Sequence, residues 1–208
     1  MKHINGLYQV KHKQYSTFEY NSPMRVKICE IEIELETSLP AVEKEWKEIF
    51  ASHLFQSSDS PQIQISASPI NQAPTTNEYY HHQTFDSHEG RYSISRDNSD
   101  NVRLEIASGS IICFNPRRKN NRVQGSLYLA NQHITNCQTE DITFTLLAPL
   151  LRLFSIYIVH AFGIVDQVTQ EALLLVGPPG SGKTTSGLTL YKEEWQFLGN
   201  DAIFLSCN

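Results

Sequence analysis

Between Arg25 and Glu36 the apolar positions are Val26, Ile28, Ile31, Ile33 and Leu35. That alternation predicts strand, and the change of parity between Ile28 and Ile31 predicts a bulge. From Ala41 the period lengthens. Val42, Trp46, Ile49, Phe50, His53 and Leu54 share one helical face, with glutamates and lysines opposite. Ser38 and Pro40 mark the start of that helix. The stretch from Ser57 is rich in Ser, Pro, Asn and Gln and reads as loop around one short strand, Gln62 to Ser66. GRYSISRD, VRLEIA and SIICF then alternate as three strands, with turns at Asp97-Asn98 and Ser108-Gly109. GSLYLANQ, from Gly125, reads either as a further strand or as the start of a helix.

A different pattern begins at Asp141. ITFTLLAPLLRLFSIYIV is apolar nearly all round, which predicts a buried helix capped by Asp141. HAFGIVD and EALLLV follow as two strands joined by a turn at Gln167 to Gln170, the second of them buried. TTSGLTLYKEEW predicts a helix and QFLGNDAIFL strand, with Trp195 and Phe197 in the core. The expected fold class is therefore α+β. A β-rich region with one helix spans 1–140, and an α/β segment spans 141–208.

Composition narrows the partners. The 208 residues are 40% hydrophobic and 19% charged, ordinary for a soluble globular chain. A formal net charge of -5 leaves no basic footprint, which argues against nucleic acid or an anionic membrane as partner. The apolar run Phe144 to Val165 is interrupted by Arg152 and His160 and bent by Pro149, so it reads as core rather than a membrane span. MKHINGLYQVKHKQY has no apolar core segment of a secretory signal, and Cys29, Cys113, Cys137 and Cys207 form no CxxC pair. Reduced thiols in a cytoplasmic protein are expected.

Three local clusters carry less. His81, His82, Asp86, His88 and Glu89 match no common zinc spacing and read as a solvated loop. Arg117, Arg118 and Lys119 form a small basic turn, a solvated tip rather than an anion site. Cys207 has no base spaced to activate it as a nucleophile.

The chemistry concentrates in GPPGSGKTT, Gly177 to Thr185, which fits the phosphate-binding pattern G-x-x-x-x-G-K-[ST] in full. A triphosphate needs many donors at close range. Glycines let bare backbone N–H groups curl around it, and the helix starting near Lys183 aims its unpaired N–H groups and positive dipole end at the same anion. Gly177, Pro178, Pro179, Gly180, Ser181, Gly182, Lys183, Thr184 and Thr185 are thus the expected nucleotide contacts. Lys183 would reach the β- and γ-phosphates, and the Thr184 hydroxyl would ligate Mg²⁺. Asp201 follows Lys183 by only 18 residues, room for one short helix and one turn. The next strand then returns Asp201 beside the phosphates, where it would hold Mg²⁺ or its waters.

That spacing, with VHAFGIV upstream and Trp195-Gln196-Phe197-Leu198 leading to Asn200-Asp201, resembles the C-terminal catalytic domain of HPr kinase/phosphorylase. It is closer still to the bacterial HPr-kinase-related serine kinases. The resemblance is specific over roughly Leu146 to Leu205 and loose in the β-rich region before it. It implies an ATP-dependent kinase with a P-loop α/β domain, ATP and Mg²⁺ as cofactors, and a protein or small-molecule hydroxyl as acceptor. It further implies that His160, Lys183, Asn200 and Asp201 line the catalytic site. The other readings are a core histidine for His160 and a turn residue for Asp201.

Two departures from the family matter. The family pair is usually Asp-Asp, and here its first member is Asn200. One acid of that pair is thought to be the base on the incoming hydroxyl, and an amide cannot take that proton at neutral pH. The family also continues past the point where this chain ends, at Asn208, so the kinase domain is expected to be incomplete. An unfinished sheet would expose an edge and favour association into an oligomer. Two further functions follow: a nucleotide-responsive binding module with a remnant phosphate loop, and an unrelated P-loop ATPase. Nothing in the sequence distinguishes ATP from GTP.

Overall fold

The structure, a computed structural model, describes residues 23–56, 60–75, 79–87, 90–136, 138–190 and 195–206. The parity change after Ile28 is a hairpin turn, not a bulge. β1 (Met24–Ile28) and β2 (Ile31–Thr37) pair antiparallel with Ile28 opposite Ile31. Cys29, at φ 53, takes up the left-handed conformation of the turn between them. Both strands therefore keep their apolar residues on one face, and Val26, Ile28 and Ile33 are fully buried there.

Helix α1 (Pro40–Ile49) buries Val42 and Trp46. Leu39 rather than Ser38 holds the cap position, and the Leu39 N–H donates to Thr37 Oγ1 at 3.1 Å. The helical face stops at Phe50. His53 lies in a following 3₁₀ turn, and Leu54 is exposed. The helix connects β2 to β3 (Ile63–Pro69), which runs parallel beside it. β3 starts one residue later than the sequence indicated and ends three later, at Pro69 rather than Ser66.

β4 (Tyr80–Ser87), β5 (Gly90–Arg96), β6 (Val102–Ile106), β7 (Ile111–Phe114) and β8 (Val123–Leu129) form an antiparallel meander. β8 returns parallel to β3, giving one mixed sheet in the order β1-β2-β3-β8-β7-β6-β5-β4. Most of the histidine-rich segment is thus strand β4, not loop. A register shift between Tyr80 and Gln83 interrupts its alternation. His88 and Glu89 lie outside the described residues, and among those described no group of three His, Cys, Asp or Glu side chains is placed to hold a metal.

GSLYLANQ is both things the pattern allowed: β8 ends at Leu129 and a short helix, α2 (Asn131–Asn136), follows. Helix α3 (Glu140–Arg152) covers the sheet over β8 and β7, burying Leu146, Leu147, Leu150 and Leu151. It is shorter than the apolar run. A turn with Ser155 at φ 59 ends it, and Ile156–Val159 is a strand, β9. The two compact units of the chain divide between Phe154 and Ser155 rather than near 140, because α3 packs on the first sheet.

Asp141 is not the cap of α3. The Glu45 carboxylate of α1 takes that role, accepting from the Thr139 N–H at 2.8 Å, the Thr139 hydroxyl at 2.6 Å and the Glu140 N–H at 3.2 Å. A buried carboxylate at a helix N-terminus meets both the unpaired donors and the dipole. Glu45→Ala leaves those donors buried without a partner, so the unit is expected to lose about 3 kcal/mol. Urea unfolding followed by circular dichroism measures it. A loss near zero would mean that water caps α3 equally well.

The second unit is built on β10 (Ala161–Asp166), flanked by β11 (Ala172–Val176) and β12 (Trp195–Asn200), both antiparallel to it. Helix α4 (Lys183–Leu190) packs on β10, and β13 (Ile203–Ser206) pairs with β9. Residues 191–194, the end of the helix expected here, lie outside the described residues, as do Cys137 and Cys207. β11 is a half-buried edge strand rather than a buried one. Trp195 is half-buried, and Phe197 is exposed with its ring tilted against Phe162 at 5.4 Å between centroids, so neither is core. Among the described residues no helix is long and apolar enough to cross a membrane.

Candidate functional site

Strand direction gathers the site. Because β11 and β12 both oppose β10, they are parallel to one another. Their carboxyl ends, Val176 and Asn200, therefore lie at the same edge of the sheet as Ala161 and Phe162, where β10 begins. The loop from Gly177, the residue His160 and the pair Asn200-Asp201 all issue from this one edge.

The loop joins edge strand β11 to α4, which begins at Lys183, so the segment has strand–loop–helix order. Gly180 at φ 75 and Gly182 at φ 81 sit in left-handed conformations that any Cβ would strain. Pro178 through Gly182 are exposed. The Lys183 ammonium folds back across the loop and donates to the carbonyls of Gly177 at 3.0 Å and Pro178 at 3.2 Å. Both are exchangeable contacts with neutral acceptors, which a phosphate oxygen would outcompete. The first N–H groups of α4 have no partner within the helix, as at any helix start, and lie next to the loop.

β12 delivers the other half. The Thr184 hydroxyl donates to Asn200 Oδ1 at 3.0 Å, and Asn200 Nδ2 donates to Asp201 Oδ2 at 3.1 Å. His160 Nε2 stands 3.9 Å from Asp201 Oδ1, too far for a hydrogen bond. Thr184, Asn200, Asp201 and His160 thus form one exposed polar row. Its backbone is fixed by register: Phe162 faces Asn200 and Val159 faces Ile203, so β9–β10 and β12–β13 keep a single alignment through the bend. At the bend Asp201 adopts φ 77 and its N–H donates to Ala161 O at 3.1 Å. A non-glycine residue held left-handed costs about 1 kcal/mol, and the two flanking ladders hold this one in place.

The sequence-derived residues Lys183, Thr184, Asn200, Asp201 and His160 are brought together. Nothing in their spacing foretells that Thr184 meets the amide of Asn200 rather than the carboxylate of Asp201; that contact joins residues 16 apart. His160 and Asp201 are both exposed, so the core-histidine alternative does not describe His160. Thr184 and Asp201 offer hard oxygen donors. Mg²⁺ usually takes only one or two protein oxygens of this kind and completes its shell with phosphate and water. No protein-family model matches the chain, and no curated protein or solved structure matches it.

Proposed function

We propose that the loop Gly177 to Thr185 binds the phosphates of ATP with Mg²⁺, and that the chain is an ATP-dependent kinase of the HPr-kinase-related type. The observation that carries this reading is the convergence at one sheet edge of the glycine loop, Lys183 and the row Thr184–Asn200–Asp201–His160. Lys183 neutralises charge as the γ-phosphoryl moves. The acceptor hydroxyl oxygen, from a serine or a small molecule, bonds to the γ-phosphorus. The bond from that phosphorus to the bridging oxygen breaks and ADP leaves. The hydroxyl proton goes to the Asp201 carboxylate, an exposed base next to the loop. Thr184 and Asp201 are the oxygens that would hold Mg²⁺, which when bound would supply positive charge against the phosphates.

Asp201→Asn tests the assignment. Transfer of labelled γ-phosphate to hydroxyl acceptors is expected to fall by about 10²-fold, the usual share of a general base. ATP affinity should change far less, because Lys183 and the loop amides remain. Equal transfer by the variant would remove Asp201 from the reaction.

A second reading, a nucleotide-responsive binding module without turnover, is favoured by one observation: the Thr184 hydroxyl meets an amide where the family has a carboxylate. Asn200→Asp separates the two. Turnover absent from the native chain and gained on this substitution would favour the module.

A further inference from the structure

The turn between β7 and β8 carries Arg117, Arg118, Lys119 and Arg122. Lys119 and Arg122 exchange both backbone hydrogen bonds, at 2.9 and 3.0 Å. Asn120 and Asn121 between them are left-handed, at φ 52 and 58, the geometry of a tight hairpin turn of the primed class. Residues that exchange both bonds stand directly opposite one another with side chains on the same face of the ribbon. Like charges so placed repel, and the hairpin is weakened by them. An anion between the two would convert that repulsion into attraction.

The neighbouring cations are held in position. Arg117 is ion-paired with Asp100, and its N–H donates to Asn115 Oδ1 at 2.9 Å. The Arg118 guanidinium lies 4.8 Å from the centre of the Phe154 ring and donates to Asn121 Oδ1 at 3.3 Å. Together with Lys119 and Arg122 they line a cleft of about 880 Å³ whose other walls include Gln64, Gln124, Asn101 and Asn115. Those amides are already oriented: Gln124 donates to Gln64 at 2.8 Å and Asn115 to Asn101 at 2.8 Å. The nearby Asp97 carboxylate accepts from Ser99 and Asn101 within its own turn. Among the described residues, the ion pair these four cations make is that of Arg117 with Asp100, in a chain whose overall charge is -5.

We propose that this cleft is a binding site for a small ligand bearing an oligophosphate group. The volume is that of a small-molecule site. Several cations lining one cleft call for several negative charges close together, which linked phosphates supply and a single carboxylate does not. Arginine forks and a lysine point charge are the usual phosphate partners. As a solvated tip the sequence counted three cations; the fourth, Arg122, is placed opposite Lys119 only by the turn.

Inorganic tripolyphosphate is the probe, titrated calorimetrically into the full chain carrying Lys183→Ala so that the glycine loop does not contribute. Saturable binding is expected, weakened at least tenfold by the added pair Lys119→Gln and Arg122→Gln, and weakened again by raised salt. Lys44→Gln with Lys47→Gln removes the same charge from exposed positions on α1 and should leave binding unchanged. Arg118→Gln repeats the test from outside the Lys119–Arg122 pair, should that double variant fold poorly. The proposal is overturned if no saturable binding occurs at millimolar probe, if the α1 pair weakens binding as much as the turn pair, or if a glutamate-rich peptide binds where tripolyphosphate does not.

Discussion

Lys183→Ala is expected to weaken ATP binding by roughly 10² to 10⁴-fold and to abolish phosphoryl transfer. The ammonium now makes two bonds to the neutral carbonyls of Gly177 and Pro178. On a triphosphate it would make charge-assisted bonds instead, each contributing about 1.5–3 kcal/mol, and every 1.4 kcal/mol is about tenfold in affinity. Removing the side chain removes all of that together with the cation that offsets the migrating charge. The fold itself should be nearly indifferent, because Lys183 is not among the buried residues and its partners lie in an exposed loop. A melting temperature close to that of the native chain, measured beside an ATP titration, therefore distinguishes a lost ligand contact from a lost fold. Unchanged ATP affinity in the variant would show that the glycine loop is not where nucleotide binds.

Local features were legible and long-range ones were not. The hairpin of β10 and β11, the glycine loop and the start of α4 are contiguous in sequence, and each is fixed by its neighbours. The turn at Cys29 and Glu30 carries no glycine or asparagine at its left-handed position, so a parity change read as a bulge. The end of α3 was hidden for a related reason. When the run from Ile142 to Val159 is apolar at all but a few positions, periodicity cannot separate a buried helix from the strand that follows it, and the break falls on Ser155 rather than on glycine. β4 was lost because it is an edge strand whose residues 82–86 are all exposed, so no buried face imposes an apolar alternation. The cap of α3 comes from Glu45, 94 residues before the Thr139 N–H it accepts, and no local pattern reaches that far. At the site, the motif supplied the residues, but only the antiparallel placement of β10 between β11 and β12 explains why His160 and Asp201 reach the same edge.

Trp46→Ala should produce the largest loss of stability in the unit that ends at Phe154. The indole is fully buried between α1 and its neighbours, and its Nε1–H donates to Thr143 Oγ1 on α3 at 2.9 Å. Truncating a buried tryptophan costs about 3–5 kcal/mol through lost burial and the cavity left behind. The Thr143 hydroxyl, itself fully buried, also loses its partner. A domain of this kind has about 5–15 kcal/mol in all, so the variant sits near the limit of folding. Trp46→Phe separates the two causes. It keeps most of the apolar volume and removes the donor, and about 1–3 kcal/mol is expected for the unpaired hydroxyl. Adding Thr143→Val to Trp46→Phe should recover part of that loss, because removing both members of a buried pair is close to neutral when shape is kept. Urea unfolding followed by circular dichroism measures all three variants. If Trp46→Ala cost less than about 1.5 kcal/mol, below the range for a buried aromatic, the packing of α1 and α3 on the sheet would be wrong. If the double variant were no better than Trp46→Phe, the loss would lie in ring shape and not in the hydrogen bond that ties the two helices together.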